Sequence, residues 1–184
     1  LELGLDEQTP VILFVGSGFE RKGIPVLLRA LAQMARKDAV VLVVGRDSRK
    51  RRMKTLAAEL GVAHRVFFLG GQKDVRSFLG AADVFCLPTL YDPMPNAAVE
   101  ALACGLPVVT STTCGAAELI EPGVNGYVCD ARDDLGLAHY LDQLCAGGGR
   151  FPAAARATAE TLSLDAMAAR LGELYDRLLA PPPL

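Results

Sequence analysis

The chain has 184 residues, 51% of them hydrophobic, with a formal net charge of −2. That is enough apolar matter for one substantial core, and the absence of a basic excess argues against nucleic acid or an anionic membrane as the main partner. The longest apolar runs, "PVILFV" and "AVVLVVG", have strand length and are too short to span a bilayer.

The N-terminus "LELGLDEQTP" has neither the basic n-region nor the apolar h-region of a signal peptide. It also lacks an initiator Met, which reads as a fragment. Residues 1–10 are expected to be linker. The first strand is expected in "VILFVGS" (11–17), followed by a helix with Ile24, Leu27, Leu28, Leu31 and Met34 at helical spacing and Pro25 in its first turn. "VVLVVG" (40–45) precedes a basic helix, "SRKRRMKTLAAEL", which presents Leu56, Ala57 and Leu60 to the core and its cations to solvent. "VFFLG" (66–70) leads to a short helix near 74–80, and "VFCLP" (84–88) to a helix from about Asn96 to Gly105. "PVVTS" (107–111), a short helix with Glu118, and "GYVC" (126–129) follow.

Strands apolar on both faces and separated by helices predict an α/β fold. It is a Rossmann-like, doubly wound parallel sheet of about six strands with a helical C-terminal end. After residue 133, Leu137, Leu141 and Leu144 mark one amphipathic helix. Met167, Leu171, Leu174 and Leu178 mark another, with Ser163 as N-cap. "LCAGGGRFP" reads as a local hinge and residues 180–184 as a tail, so 1–184 is expected to be a single domain.

Five cysteines (86, 104, 114, 129 and 145) lack the close spacing of a metal cluster, and read as buried, reduced thiols. His64 and His139 have no partner pattern. No metal is expected, and the chain reads as cytoplasmic.

In a doubly wound sheet, ligands sit beyond the carboxyl ends of the strands. Those ends here read "GSGFERKG", "GRDSRK", "GGQKD", "TLYDPMPN" and "TSTTCGAAE". Glycines, small hydroxyls and fixed charges gather on this edge. The first loop admits three readings. Gly16, Gly18 and Asp47 suit a dinucleotide fingerprint, although Gly23 falls too late for the third glycine. Alternatively, Gly16, Ser17 and Gly18 let the backbone approach a pyrophosphate that Arg21 and Lys22 neutralise. The third reading is a tight turn with two solvated cations.

The stretch "LPTLYDPMPNAAVEALACGLPVVTS" (87–111) sets Asp92 in a loop at the same edge and Glu100 about one turn inside the following helix, which Asn96 can cap. A carboxylate at that depth can accept two hydrogen bonds from a vicinal diol such as ribose. The loop carboxylate is expected to reach further out, towards whatever the phosphates carry.

In this order, "VGSGFERKG", "AADVFCLPTLYDPMPNAAVEALACGLPVVTS" and "GAAELIEPGVNGYVC" resemble the C-terminal domain of retaining glycosyltransferases of family 4, which have the GT-B fold. Within that family they look most like the lipopolysaccharide core glucosyltransferases. The resemblance implies a domain that binds a nucleoside-diphosphate sugar, here UDP-glucose, as donor. It puts Arg21 and Lys22 on the pyrophosphate, Glu100 on the ribose and Asp92 on donor-sugar hydroxyls, so that Arg21, Lys22 and Asp92 act at the reacting end. The backbone at Met94, Asn96 and Ala97 would contact sugar and phosphate.

Three departures from the family pattern stand out. The first acid is Asp92, where glutamate is usual. Pro95 replaces a glycine and has no N–H to donate. Ser17 stands where many members carry the phosphate arginine. No D-x-D triplet occurs, so the cations and helix dipoles would carry the leaving-group charge.

The family also implies an acceptor domain preceding this one, with lipopolysaccharide core as acceptor, a peripheral contact with the inner membrane, and no transfer by this chain alone. The rivals are a family 4 enzyme for another glycan or lipid, an NAD-binding regulatory module, and a binding module without turnover.

Overall fold

The computed structural model describes residues 4–147 and 151–180. The start of the expected linker, the middle of the expected hinge and the end of the expected tail lie outside the described residues. Six strands form one sheet: β1 (Val11–Val15), β2 (Val40–Val44), β3 (Val66–Gly70), β4 (Val84–Leu87), β5 (Val108–Ser111) and β6 (Gly126–Cys129). Every pairing is parallel and the order is β3-β2-β1-β4-β5-β6. Helices α1 (Ile24–Gln33), α2 (Lys50–Glu59), α3 (Arg76–Ala81), α4 (Asn96–Ala103) and α5 (Asp134–Cys145) pack around it.

β2, β4 and β5 are buried along their whole length, which is why they read as unbroken apolar runs. Leu27, Leu28 and Leu31 of α1 and Leu137, Leu141 and Leu144 of α5 belong to the same core. The buried guanidinium of Arg65 donates to the carbonyls of Leu31 (2.7 Å), Arg36 (3.3 Å) and Ala39 (3.4 Å), closing the end of α1.

Two further helices follow among the described residues. α6 (Phe151–Glu160) buries Ala155 and Ala159 and packs on α4. α7 (Leu164–Leu179) starts where expected: the Ser163 hydroxyl accepts from the Ala166 N–H at 3.2 Å. None of its residues is buried, and Leu164, Met167, Leu171 and Leu178 are exposed. Among the described residues no helix is long and apolar enough to cross a membrane.

The strand order reverses at β1. Its neighbours are β2 on one side and β4 on the other, so the chain leaves the carboxyl ends of β1 and β4 in diverging directions and opens a crevice between the loops they feed. Those loops are 16–23 and 88–95.

Candidate functional site

The loop after β1 is anchored from within. Phe19 is 1% exposed and packs edge-on to Phe14, with ring centroids 6.1 Å apart, and against Phe68 at the same separation. Its backbone N–H donates to Asp47 Oδ2 at 2.8 Å, and Oδ1 of the same carboxylate accepts from the Arg49 N–H at 2.6 Å. Asp47 therefore ties the first loop to the second and has both oxygens engaged, which leaves little for the ribose role of a dinucleotide fingerprint. Glu20 pairs with Arg49 and, at 2.8 Å, with Arg52.

With Phe19 pinned, Arg21 and Lys22 emerge at the crevice. Gly23 makes that possible. Its φ is 85°, in the left-handed region, and a Cβ there would overlap the carbonyl oxygen of Pro88 at the end of β4. The first loop thus lies directly against the start of the fourth. The Arg21 carbonyl accepts from the Leu90 N–H (2.8 Å) and the Thr89 hydroxyl (3.2 Å), while its guanidinium donates to the Tyr91 carbonyl.

Asp92 lies where these loops meet. Its Oδ2 is 3.2 Å from Lys22 Nζ and 3.8 Å from Arg21 Nη1. Asp92 is 8% exposed, so the carboxylate is drawn in against the cations and does not reach outward as expected from its place in a loop. The reason lies after β5. The Asp92 carbonyl accepts from the Gly115 N–H at 2.8 Å, and its N–H donates to the Thr113 carbonyl at 3.4 Å. A Cβ on Gly115 would overlap the Pro93 carbonyl oxygen, so the approach requires glycine. Hydroxyls hold the same junction: the buried Ser111 and the more exposed Thr113 (2.8 Å) both donate to the Thr89 carbonyl, and the buried Thr110 donates to that of Leu87 at 2.9 Å.

Gly16, Ser17 and Gly18 form the outer turn of the first loop; Ser17 is exposed, and the Lys22 N–H donates to the Gly18 carbonyl at 2.9 Å. Beyond Asp92, Met94 and Asn96 are exposed, Ala97 is half-buried, and Glu100 is exposed on α4. Asn96 does not cap α4. It is the first helical residue, the cap position is Pro95, and no side chain caps the helix. Met94, Asn96 and Glu100 line a cleft of about 790 Å³ whose opposite wall is α7, through Leu164, Met167, Leu171 and Leu174. The structure thus joins Arg21, Lys22 and Asp92 at one point and sets Glu100 on the helix that leads away from it. The hydroxyls of Thr89, Ser111 and Thr113 and the anchor Phe19 are parts that sequence reasoning did not single out, and Asp47, read there as a possible ribose ligand, serves as a tether. The "TSTT" run at the ligand edge was the one visible signal for Ser111 and Thr113.

Four thiols are buried. Burial raises Cys86 well above the ordinary thiol range, pushes Cys129 up to about 11 with help from Asp133 and Asp130, and pushes Cys145 up to about 12 with help from Asp83. Such thiols stay protonated and unreactive at neutral pH. Cys104 departs from the expectation of burial: it follows α4 and is exposed. One fast-reacting thiol per native chain is the expected result with an aromatic disulfide reagent at pH 8, rising to five on unfolding. Cys104→Ser should abolish the fast phase.

Residues 2–161 match the family model described as glycosyl transferases group 1. The lipopolysaccharide core biosynthesis glycosyltransferase LpsE of Rhizobium meliloti is 31% identical over 182 residues, 99% of this chain and 53% of that protein. The lipopolysaccharide glucosyltransferase WaaG of Escherichia coli is 38% identical over 128 residues, 68% of this chain and 34% of that one. A crystal structure of WaaG superposes with a TM-score of 0.82 at 30% identity, over 93% of this chain and 48% of the other. Anabaena HepE in complex with UDP and glucose superposes with a TM-score of 0.79 at 26% identity, over 92% and 49%. The chain spans about half the length of LpsE, WaaG and HepE, or less. A matched family model over most of the residues and a shared α/β, GT-B-like fold lead to one conclusion: the chain belongs to the group 1 glycosyltransferases.

Proposed function

We propose that the chain binds a nucleoside-diphosphate sugar, UDP-glucose in the first instance, and serves as the donor half of a retaining hexosyltransferase that builds the lipopolysaccharide core. The observation that carries the reading is the meeting of Arg21, Lys22 and Asp92 at the crevice between the β1 and β4 loops, with Glu100 on the helix that follows. Two cations held there suit a diphosphate, the leaving group of sugar transfer, whose charge grows as the bond from the sugar's anomeric carbon to the phosphate oxygen breaks. In this reading the backbone at Gly16, Ser17 and Gly18 borders the diphosphate, the 94–97 segment contacts phosphate and sugar, and Glu100 holds the ribose.

Relatives named for lipopolysaccharide core synthesis support the acceptor class. HepE bound to UDP and glucose, and to UDP-glucose, supports the donor. The acceptor would sit on a preceding half comparable to the remainder of those relatives, and that half would cover the apolar face of α7. Transfer by this chain alone is then not expected, because positioning and water exclusion need both halves.

Calorimetric titration with UDP, GDP, ADP and NAD tests the reading. Binding of UDP, with NAD unable to compete, is expected. Tight binding of NAD with no response to UDP overturns it.

A further inference from the structure

The two cations assigned to the diphosphate already have a counter-ion. Asp92 Oδ2 lies 3.2 Å from Lys22 Nζ and 3.8 Å from Arg21 Nη1, and the Asp92 and Lys22 side chains are only 11% and 15% exposed. Both side chains are largely enclosed where they meet. The Asp92 backbone is held to Thr113 and Gly115, and the Lys22 backbone is held between the left-handed Gly23 and the carbonyl of Gly18, so both side chains start from fixed points. An anion that reaches Lys22 therefore arrives beside a carboxylate.

We propose, resting on the donor reading above, that Asp92 is the resident counter-ion of the phosphate-binding cations and that its charge limits how tightly the site holds a free nucleoside diphosphate. Arg21, Lys22 and Asp92 together carry one net positive charge. A nucleoside-diphosphate sugar brings one negative charge on each phosphate. The free diphosphate left after transfer carries a further charge on its terminal phosphate at neutral pH, because that phosphate has lost its ester and has a second ionisation near pH 6. Repulsion from a fixed carboxylate rises with the ligand's charge and is weakly screened in a partly buried site. Asp92 thus opposes the product more than the donor. It keeps Lys22 oriented when the site is empty and favours release once the sugar has gone.

This role differs from contact with the sugar, and the two make opposite claims about UDP. A sugar ligand has no effect on a molecule without a sugar. A counter-ion does.

The test is the affinity of the chain for UDP in Asp92→Asn, which keeps the size of the side chain and one acceptor oxygen and removes its charge. Asp92→Ser serves as a second variant should the first fail to fold, as judged by thermal melting. UDP is expected to bind about three- to tenfold more tightly than to the unaltered chain, in proportion to the loss of one partly screened charge. The gain should shrink as salt is raised, and Asp92→Asn should also recover part of the UDP binding lost in Lys22→Ala. Unchanged or weaker UDP binding in both Asp92 variants overturns the proposal while leaving the donor reading intact. No UDP binding by any form overturns the donor reading, and the counter-ion role with it.

Discussion

Lys22→Ala is expected to weaken UDP roughly ten- to a hundredfold while hardly changing the affinity for uridine, since a charge-assisted hydrogen bond contributes about 1.5–3 kcal/mol. The loss has two sources. One is the missing ammonium. The other is Asp92, which then faces the diphosphate with only Arg21, 3.8 Å away, to offset it. Removing the carboxylate as well should restore part of the binding, so the two substitutions will not add. Calorimetry on Lys22→Ala, Asp92→Asn and the double variant, with UDP and uridine, separates the terms. Equal losses for uridine and UDP would mean that Lys22 does not touch the phosphates.

The other large effect is structural. Gly23→Ala forces a Cβ onto the carbonyl oxygen of Pro88 and holds an L-residue at φ 85°. Overpacking costs typically about 1–3 kcal/mol, and the left-handed backbone adds roughly 1–2 kcal/mol. Together these predict a loss near ~3 kcal/mol, or a melting temperature lower by about 6–12 °C for a chain of this size. The consequence for binding should be just as clear. The contact that must open is the one that brings the first loop to the fourth, so Lys22 would draw away from Asp92 and the cation pair would lose its geometry. Chemical denaturation and UDP titration of Gly23→Ala check both. A stable variant with unaltered UDP affinity would show that the Gly23–Pro88 contact does not set the site.

These expectations rest on features that were unevenly legible in the sequence. β2, β4 and β5 could be read almost to the residue because burial on both faces writes an unbroken apolar run. The Ser163 cap was legible for a local reason: a hydroxyl one residue before an amphipathic pattern meets the third N–H beyond it. α6 was not distinguished, because its buried contacts are alanines. Ala155 and Ala159 carry little hydrophobic signal, yet they let the helix lie close on α4. Asn96 had the right chemistry for a cap and the wrong place, since Pro95 takes the cap position with its extended backbone.

For the site, the residue types that gather at the ligand edge were visible because parallel topology sends every strand's carboxyl end to one side. The inward set of Asp92 was not. It depends on backbone pairing with Thr113 and Gly115, twenty-one and twenty-three positions further along, and on a glycine whose role appears only when Pro93 lies against it. Asp47 carries the same lesson. Its position suited a ribose ligand, but the amides of Phe19 and Arg49 occupy both of its oxygens.

The central claim is that the crevice between the β1 and β4 loops holds a nucleoside diphosphate. A crystal structure of the chain grown with UDP tests it most directly. The account predicts the diphosphate within hydrogen-bond distance of Lys22 Nζ and Arg21, bordered by the 16–18 turn, with the ribose hydroxyls on Glu100. A diphosphate bound instead on the basic face of α2, at Arg51 and Lys54, or lodged in the apolar cleft between α4 and α7 with Lys22 still paired to Asp92 alone, would contradict it.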